Sequence, residues 1–85
     1  MNDIFVIMKR NYLSGSIEKA LKIIECVGKS PRLLKASDIS KITKLERATT
    51  FRILTYLTSL GYIFKNENNK LYSLGHKFFE FGDKS

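Results

Sequence analysis

The stretch KLERATTFRILTYLTSLGYIF, Lys44 to Phe64, constrains the fold more than any other part of the chain, because its period changes at one residue. Before Gly61 the inward positions recur at helical spacing, with Thr50, Ile53, Leu57 and Leu60 in a stripe and Leu54 beside it. At about 100° per residue, Ala48, Arg52, Thr55 and Ser59 fall on the opposite side, flanked by Arg47 and Phe51. Gly61 suits the position just past a helix, where the backbone turns left-handed. Beyond it, Tyr62-Ile63-Phe64-Lys65 and Lys70-Leu71-Tyr72-Ser73 alternate with period two around Asn66–Asn69. A helix over about 46–60 running into a β-hairpin is therefore predicted, with Asn68-Asn69 supplying the positive φ of the turn.

Upstream, Ser16 suits an N-cap, and Glu18 places a negative charge in the first turn. Ile17, Ala20, Leu21, Ile24 and Val27 then form an apolar face, and Gly28 with Ser30-Pro31 ends the helix. A second helix fits Ser37 or Asp38 as cap, with Ile39 and Ile42 as its buried pair. Thr43-Lys44-Leu45-Glu46 has the form of a capping box and starts the next helix only a few residues later. Two helices joined so tightly make a helix-turn-helix. Leu74, Phe78 and Phe81, with Phe79, suggest a closing helical segment before Gly82. The order of elements is that of a winged helix-turn-helix, mainly α with one small β-hairpin. Residues 14–75 are expected to form that domain and residues 76–85 to start a linker helix. Residues 1–13 carry no period and are read as an N-terminal arm, a candidate dimer contact.

Eighty-five residues suffice for one domain with a modest core, so support from a dimer partner is expected. The chain has one cysteine, which builds no disulfide framework, and no Cys/His cluster at metal-ligand spacing. No stretch is long enough to span a bilayer, and Lys9 and Arg10 follow the apolar run Ile4–Met8 where an export signal has its charges first. A cytoplasmic protein without a cofactor is expected. Between Lys29 and Lys65 eight basic residues face two acidic ones, so this part carries +6 of the chain's net +7. Such a block points to a polyanionic partner, nucleic acid before membrane.

In a helix-turn-helix the second helix of the motif enters the major groove, and residues near its N-terminus meet base edges. That explains two arginines beside small residues at the front of a core helix. Arg47 and Arg52 are donors for guanine or phosphate, while Ala48 and Thr49 permit close approach. Phe51 either touches thymine methyls or a sugar, or folds back onto the preceding helix, the commoner use of an aromatic. Lys65 and Lys70 flank a wing tip of three asparagines, suited to backbone or minor-groove contact or else to plain solvation. The candidate DNA-binding residues are thus Lys44, Arg47, Ala48, Thr49, Phe51, Arg52 and Thr55, with Lys65 and Lys70 on the wing. A winged helix covered by a protein partner is the alternative; it would expose apolar residues along this helix, where only Phe51 is expected to show.

Several separate segments resemble the N-terminal DNA-binding domain of IclR-type transcription regulators. Ser16-Ile17-Glu18-Lys19-Ala20-Leu21 is similar to the family's opening, and Leu45–Leu54 to its recognition helix. Gly61-Tyr62-Ile63 and Tyr72-Ser73-Leu74-Gly75 are similar to its closing pattern, so the likeness covers about residues 16–82. Two positions depart: Glu46 stands where the family usually has proline, and Ala48 where it has serine. The resemblance implies binding to double-stranded DNA, as a dimer on an inverted-repeat operator, in a repressor or activator. It also implies a larger effector-binding domain that this chain does not contain, so that the chain is either part of a longer regulator or a stand-alone DNA-binding domain.

Cys26 is expected on the polar face of the first helix between Lys19 and Lys22, where a depressed pKa could make it a redox sensor or where it is incidental. His76 reads as a surface residue of the linker. With one histidine, one cysteine and no carboxylate pair, the sequence presents no active site, and an enzyme is not expected. Phe78 and Phe81 are expected to close the core, leaving Phe79 exposed as a second candidate dimer contact with Ile4–Met8.

Overall fold

The computed structural model describes residues 14–84; the expected arm over residues 1–13 lies outside them. Helix α1 spans Ser14–Lys29, α2 Ala36–Thr43 and α3 Arg47–Ser59. Strands β1 (Ile63–Lys65) and β2 (Tyr72–Leu74) follow, then α4 (His76–Gly82). The described chain is therefore mainly helical with one antiparallel hairpin, the order read from the sequence.

Helix α1 starts two residues before Ser16 and buries a face rotated from the expected one. Ile23 and Val27 are buried, with Ala20 and Ile24 packed against them, whereas Ile17 and Leu21 are more than half exposed. Gly28 does not stop the helix. It lies in the last turn, where its Cα side faces the Leu74 side chain. Ser30-Pro31 marks the real end, consistent with the restriction proline puts on the residue before it.

Helix α2 takes Lys35 as N-cap, two residues before Ser37, the earlier of the two expected caps, with Asp38 as its third residue. The Lys35 backbone N–H donates to Asp38 Oδ2 at 3.1 Å, and Arg32 lies 3.6 Å from the same carboxylate. These contacts, the backbone bond first, hold the Asp38 carboxyl below the usual carboxylate range. Ile39 is fully buried, but its expected partner Ile42 is exposed. Ser40 and Thr43 occupy the inner face in its place.

The turn between α2 and α3 is also built differently. Thr43 is not an N-cap: it ends α2, is buried, and donates its hydroxyl to the Ile39 carbonyl at 2.7 Å. Lys44 takes the left-handed conformation at φ 60°, and the Ser40 hydroxyl donates to the Leu45 carbonyl at 2.6 Å, fastening the turn. Helix α3 begins at Arg47 with Glu46 as N-cap, whose side chain makes no capping bond.

Helix α3 buries Thr50, Leu54 and Leu57, while Leu60 at its end is partly exposed. The end is a complete Schellman arrangement. The Tyr62 N–H donates to Leu57 O at 3.0 Å and the Gly61 N–H to Thr58 O at 3.1 Å, with Gly61 at φ 87°. The hairpin pairs Ile63 with Leu74, Phe64 with Ser73 and Lys65 with Tyr72. An added bridge joins Tyr72 to Leu34, through the Tyr72 N–H and the Leu34 carbonyl at 2.8 Å. The wing is thereby tied to the loop before α2. At its tip the left-handed residue is Lys70, not an asparagine. The asparagines act through their side chains: Asn66 Oδ1 accepts from the Asn68 and Asn69 N–H groups, and Asn69 Oδ1 from that of Leu71.

Ile23, Leu34, Ile39, Leu54, Ile63 and Tyr72 form the centre of the core, drawn from every element except α4. Fully burying a side chain of this size stabilises by about 1.5–3 kcal/mol. Helix α4 docks differently. The Gly75 N–H donates to Tyr62 O at 2.9 Å and the Lys77 N–H to Gly61 O at 3.1 Å, while a Cβ on Gly75 would collide with the Gly61 carbonyl. Phe78 and Phe81 do not enter the core. They pack edge-on to each other and against Tyr62 at its margin, with Phe81 half exposed and Phe79 more so.

Candidate nucleic-acid interface

The outer face of α3 carries Arg47, Ala48, Phe51, Arg52 and Thr55, all exposed, with Thr49 half-buried at its edge. The opposite face fills the core, so the helix axis is fixed by packing while this surface stays open. Among the described residues neither arginine has an ion pair, which leaves both guanidinium groups available. The Thr55 hydroxyl donates to the Phe51 carbonyl at 2.8 Å, so toward a ligand its oxygen is left chiefly as an acceptor. Glu46 is exposed at the start of the helix, where its charge favours the helix dipole but opposes a phosphate.

Tyr56 is a surface residue that sequence reasoning passed over. It is 65% exposed and lines a shallow groove with Phe51, Arg52, Thr55 and Ser59. The signal was present: Tyr56 sits four residues after Arg52, on the same side of a helix. Phe51 is 51% exposed, and the Lys65 ammonium lies 5.5 Å from its ring centre.

The cations around α3 divide into two groups. Lys44 is exposed in the turn just before the helix, near Arg47 in sequence. On the wing, neither lysine is free as expected. Lys65 is half-buried over the rings of Phe51 and Tyr72, and Lys70 pairs with Glu67 at 3.3 Å. The open positive charge therefore lies on α3 and the turn before it more than on the hairpin.

Cys26 is half-buried against the core, and burial raises its thiol pKa. That is the reverse of what a redox-sensing thiolate needs. His76 is exposed, with Nδ1 2.6 Å from Glu80 Oε2. Among the described residues no group of three or more His, Cys, Asp and Glu side chains could hold a metal ion. None of the described helices is long and apolar enough to cross a membrane.

Residues 16–67, from α1 through the first part of the wing, match the family described as the IclR helix-turn-helix domain. The chain belongs to the IclR family. Its IclR domain is 39% identical over 67 residues to the HTH-type transcriptional regulator XynR of Escherichia coli K12, covering 79% of this chain and 27% of that protein. It is 30% identical over 71 residues to the HTH-type transcriptional regulator KdgR of Dickeya chrysanthemi, covering 84% and 23%. The chain thus spans about a quarter of the length of these relatives. The crystal structure of an IclR family transcriptional regulator from Brucella abortus superposes with a TM-score of 0.77 at 21% identity, over 91% of this chain and 30% of that one. That likeness concerns the fold, which is the winged helix-turn-helix of IclR domains. These relatives are transcription regulators. They give the protein-assembly alternative no support.

Proposed function

We infer that this domain binds double-stranded DNA with sequence preference, placing α3 in the major groove and resting the wing, residues 62–73, on the backbone or minor groove. The reading is carried by one observation: α3 keeps two arginines, without an ion pair among the described residues, beside Ala48 and Thr49 on a face that these residues leave open. Arg47, at the front of the helix, is assigned to a base edge. Arg52, one turn further on, is assigned to a phosphate, with Lys44 supporting it from the turn. The protein acts as a regulator in the cytoplasm and not as an enzyme.

Residues 14–75 form the reading head and residues 76–85 start a linker helix. Two such heads on a dimer read an inverted repeat whose halves lie about 34 Å apart. The exposed Phe79, beyond the aromatic cluster of α4, is a candidate for that contact.

Paired substitutions test the assignment of the arginines. Arg52→Ala should weaken binding to all duplexes and lower the salt slope by about one. Arg47→Ala should relax discrimination at one base pair by roughly 1–3 kcal/mol. Unchanged affinity in the first variant, or equal losses on preferred and random DNA in the second, would remove the residue from its role.

A further inference from the structure

The charge of Lys65 is directed inward. Its ammonium lies 5.5 Å from the ring centre of Phe51 and 5.7 Å from that of Tyr72. These three residues come from three elements: Phe51 from α3, Lys65 from β1 and Tyr72 from β2. Tyr72 stands opposite Lys65 in the hairpin ladder, is buried, and is held by the Leu34 carbonyl. Phe51, in contrast, is half exposed on the open face of α3. Lys65 thus bridges a fixed ring in the core and an exposed ring on the reading surface.

An ammonium at this range from an aromatic ring is attracted by the ring quadrupole, and the lysine stem can lie along apolar surface at the same time. The acid on the wing does not compete for it, because Glu67 pairs with Lys70. Among the described residues Lys65 has no ion pair.

We propose that Lys65 is a positioning residue of the reading surface: it clamps β1 against α3 and fixes the Phe51 ring there, instead of contacting a phosphate. The role rests on the DNA-binding reading above. The two uses of the lysine have different signatures. A phosphate contact releases a counterion and appears in the salt dependence on every duplex. A clamp acts through Phe51 and appears in discrimination between duplexes.

The first test uses the free protein. Ring currents should move the Lys65 ε-methylene protons upfield in the NMR spectrum, and Phe51→Leu should move them part of the way back. Ordinary shifts in the wild type would overturn the clamp without reference to DNA. The second test compares Lys65→Met with wild type on a preferred duplex, selected from a random pool, and on a random one. Discrimination should fall about two- to fivefold, the size an exposed contact of this kind permits, with the salt slope unchanged. Equal losses on both duplexes with a slope smaller by about 0.9 would make Lys65 a phosphate contact. A double variant, Lys65→Met with Phe51→Leu, should discriminate no worse than Phe51→Leu alone; additive losses would also overturn the clamp. Failure of the wild type to bind either duplex would end the DNA reading and the role with it, while the NMR shifts would still report the contact.

Discussion

Gly75→Ala is the substitution that most sharply tests how the wing is joined to the helices. A Cβ at this position would press on the Gly61 carbonyl and on the Ile63 backbone nitrogen. These are main-chain atoms of the α3 cap and of β1, so no side-chain rotation relieves the clash. Relief requires the β2–α4 junction to move away, which strains or breaks two hydrogen bonds: Gly75 N–H to Tyr62 O, and Lys77 N–H to Gly61 O. Each such bond contributes about 0.5–1.5 kcal/mol net. Losing both therefore costs about 1–3 kcal/mol, the same range as forcing extra volume into a packed site. For a domain of this size 1 kcal/mol moves Tm by about 4–8 °C. We expect a fall of roughly 4–24 °C by circular dichroism, on that scale, with the aromatic cluster around Tyr62 loosened in the NMR spectrum. A loss below about 0.5 kcal/mol would mean that α4 is not held against Gly61 and would refute the reasoning.

Gly28→Ala is the natural contrast, since a Cβ there would sit 3.4 Å from Leu74 Cδ1 in ordinary contact, inside a helix. It should raise stability by up to about 1 kcal/mol in urea titration, and destabilisation would show that α1 and β2 are packed more tightly than described. Thr50 is fully buried, and its hydroxyl has no partner among the described residues. Thr50→Val should therefore stabilise by about 1 kcal/mol, whereas a loss would show that the hydroxyl is bonded in solution. Asp38 has a lowered pKa when folded, so its contribution is present above the unfolded pKa and disappears as pH falls through the folded one. Asp38→Asn should be less stable than wild type at pH 7, and the gap should close below the ordinary carboxylate range; a pH-independent gap would exclude the charge as its source.

The sequence made the order of elements readable because each boundary had a local cause. Gly61 ends α3 by a left-handed turn, and the period changes from helical to alternating immediately after it. The outer face of α3 was readable for the same reason: once Thr50, Leu54 and Leu57 are inside, Ala48, Arg52 and Thr55 must be outside, whereas Arg47, seven residues before Leu54, is exposed as the first residue of the helix. What was not readable depends on partners distant in sequence. In α1 two adjacent stripes are apolar, and only the position of α2 and α3 decides that Ile23 is buried and Leu21 exposed. Thr43 had the form of a cap, but the buried bond to Ile39 claimed its hydroxyl. The left-handed residues Lys44 and Lys70 carry no propensity that would announce them. Lys65 looked like a free cation because its two rings arrive from α3 and from the opposite strand.

The central claim is that the face of α3 between Arg47 and Thr55 binds DNA. Fluorescence anisotropy with a pool of random duplexes, repeated across a salt series, tests it most directly. The account predicts binding at low salt and a linear fall of log K with log salt, at about −0.9 per phosphate contact, made shallower by Arg52→Ala. Absence of binding at low salt by a folded sample, or a slope that Arg52→Ala leaves unchanged, would contradict it.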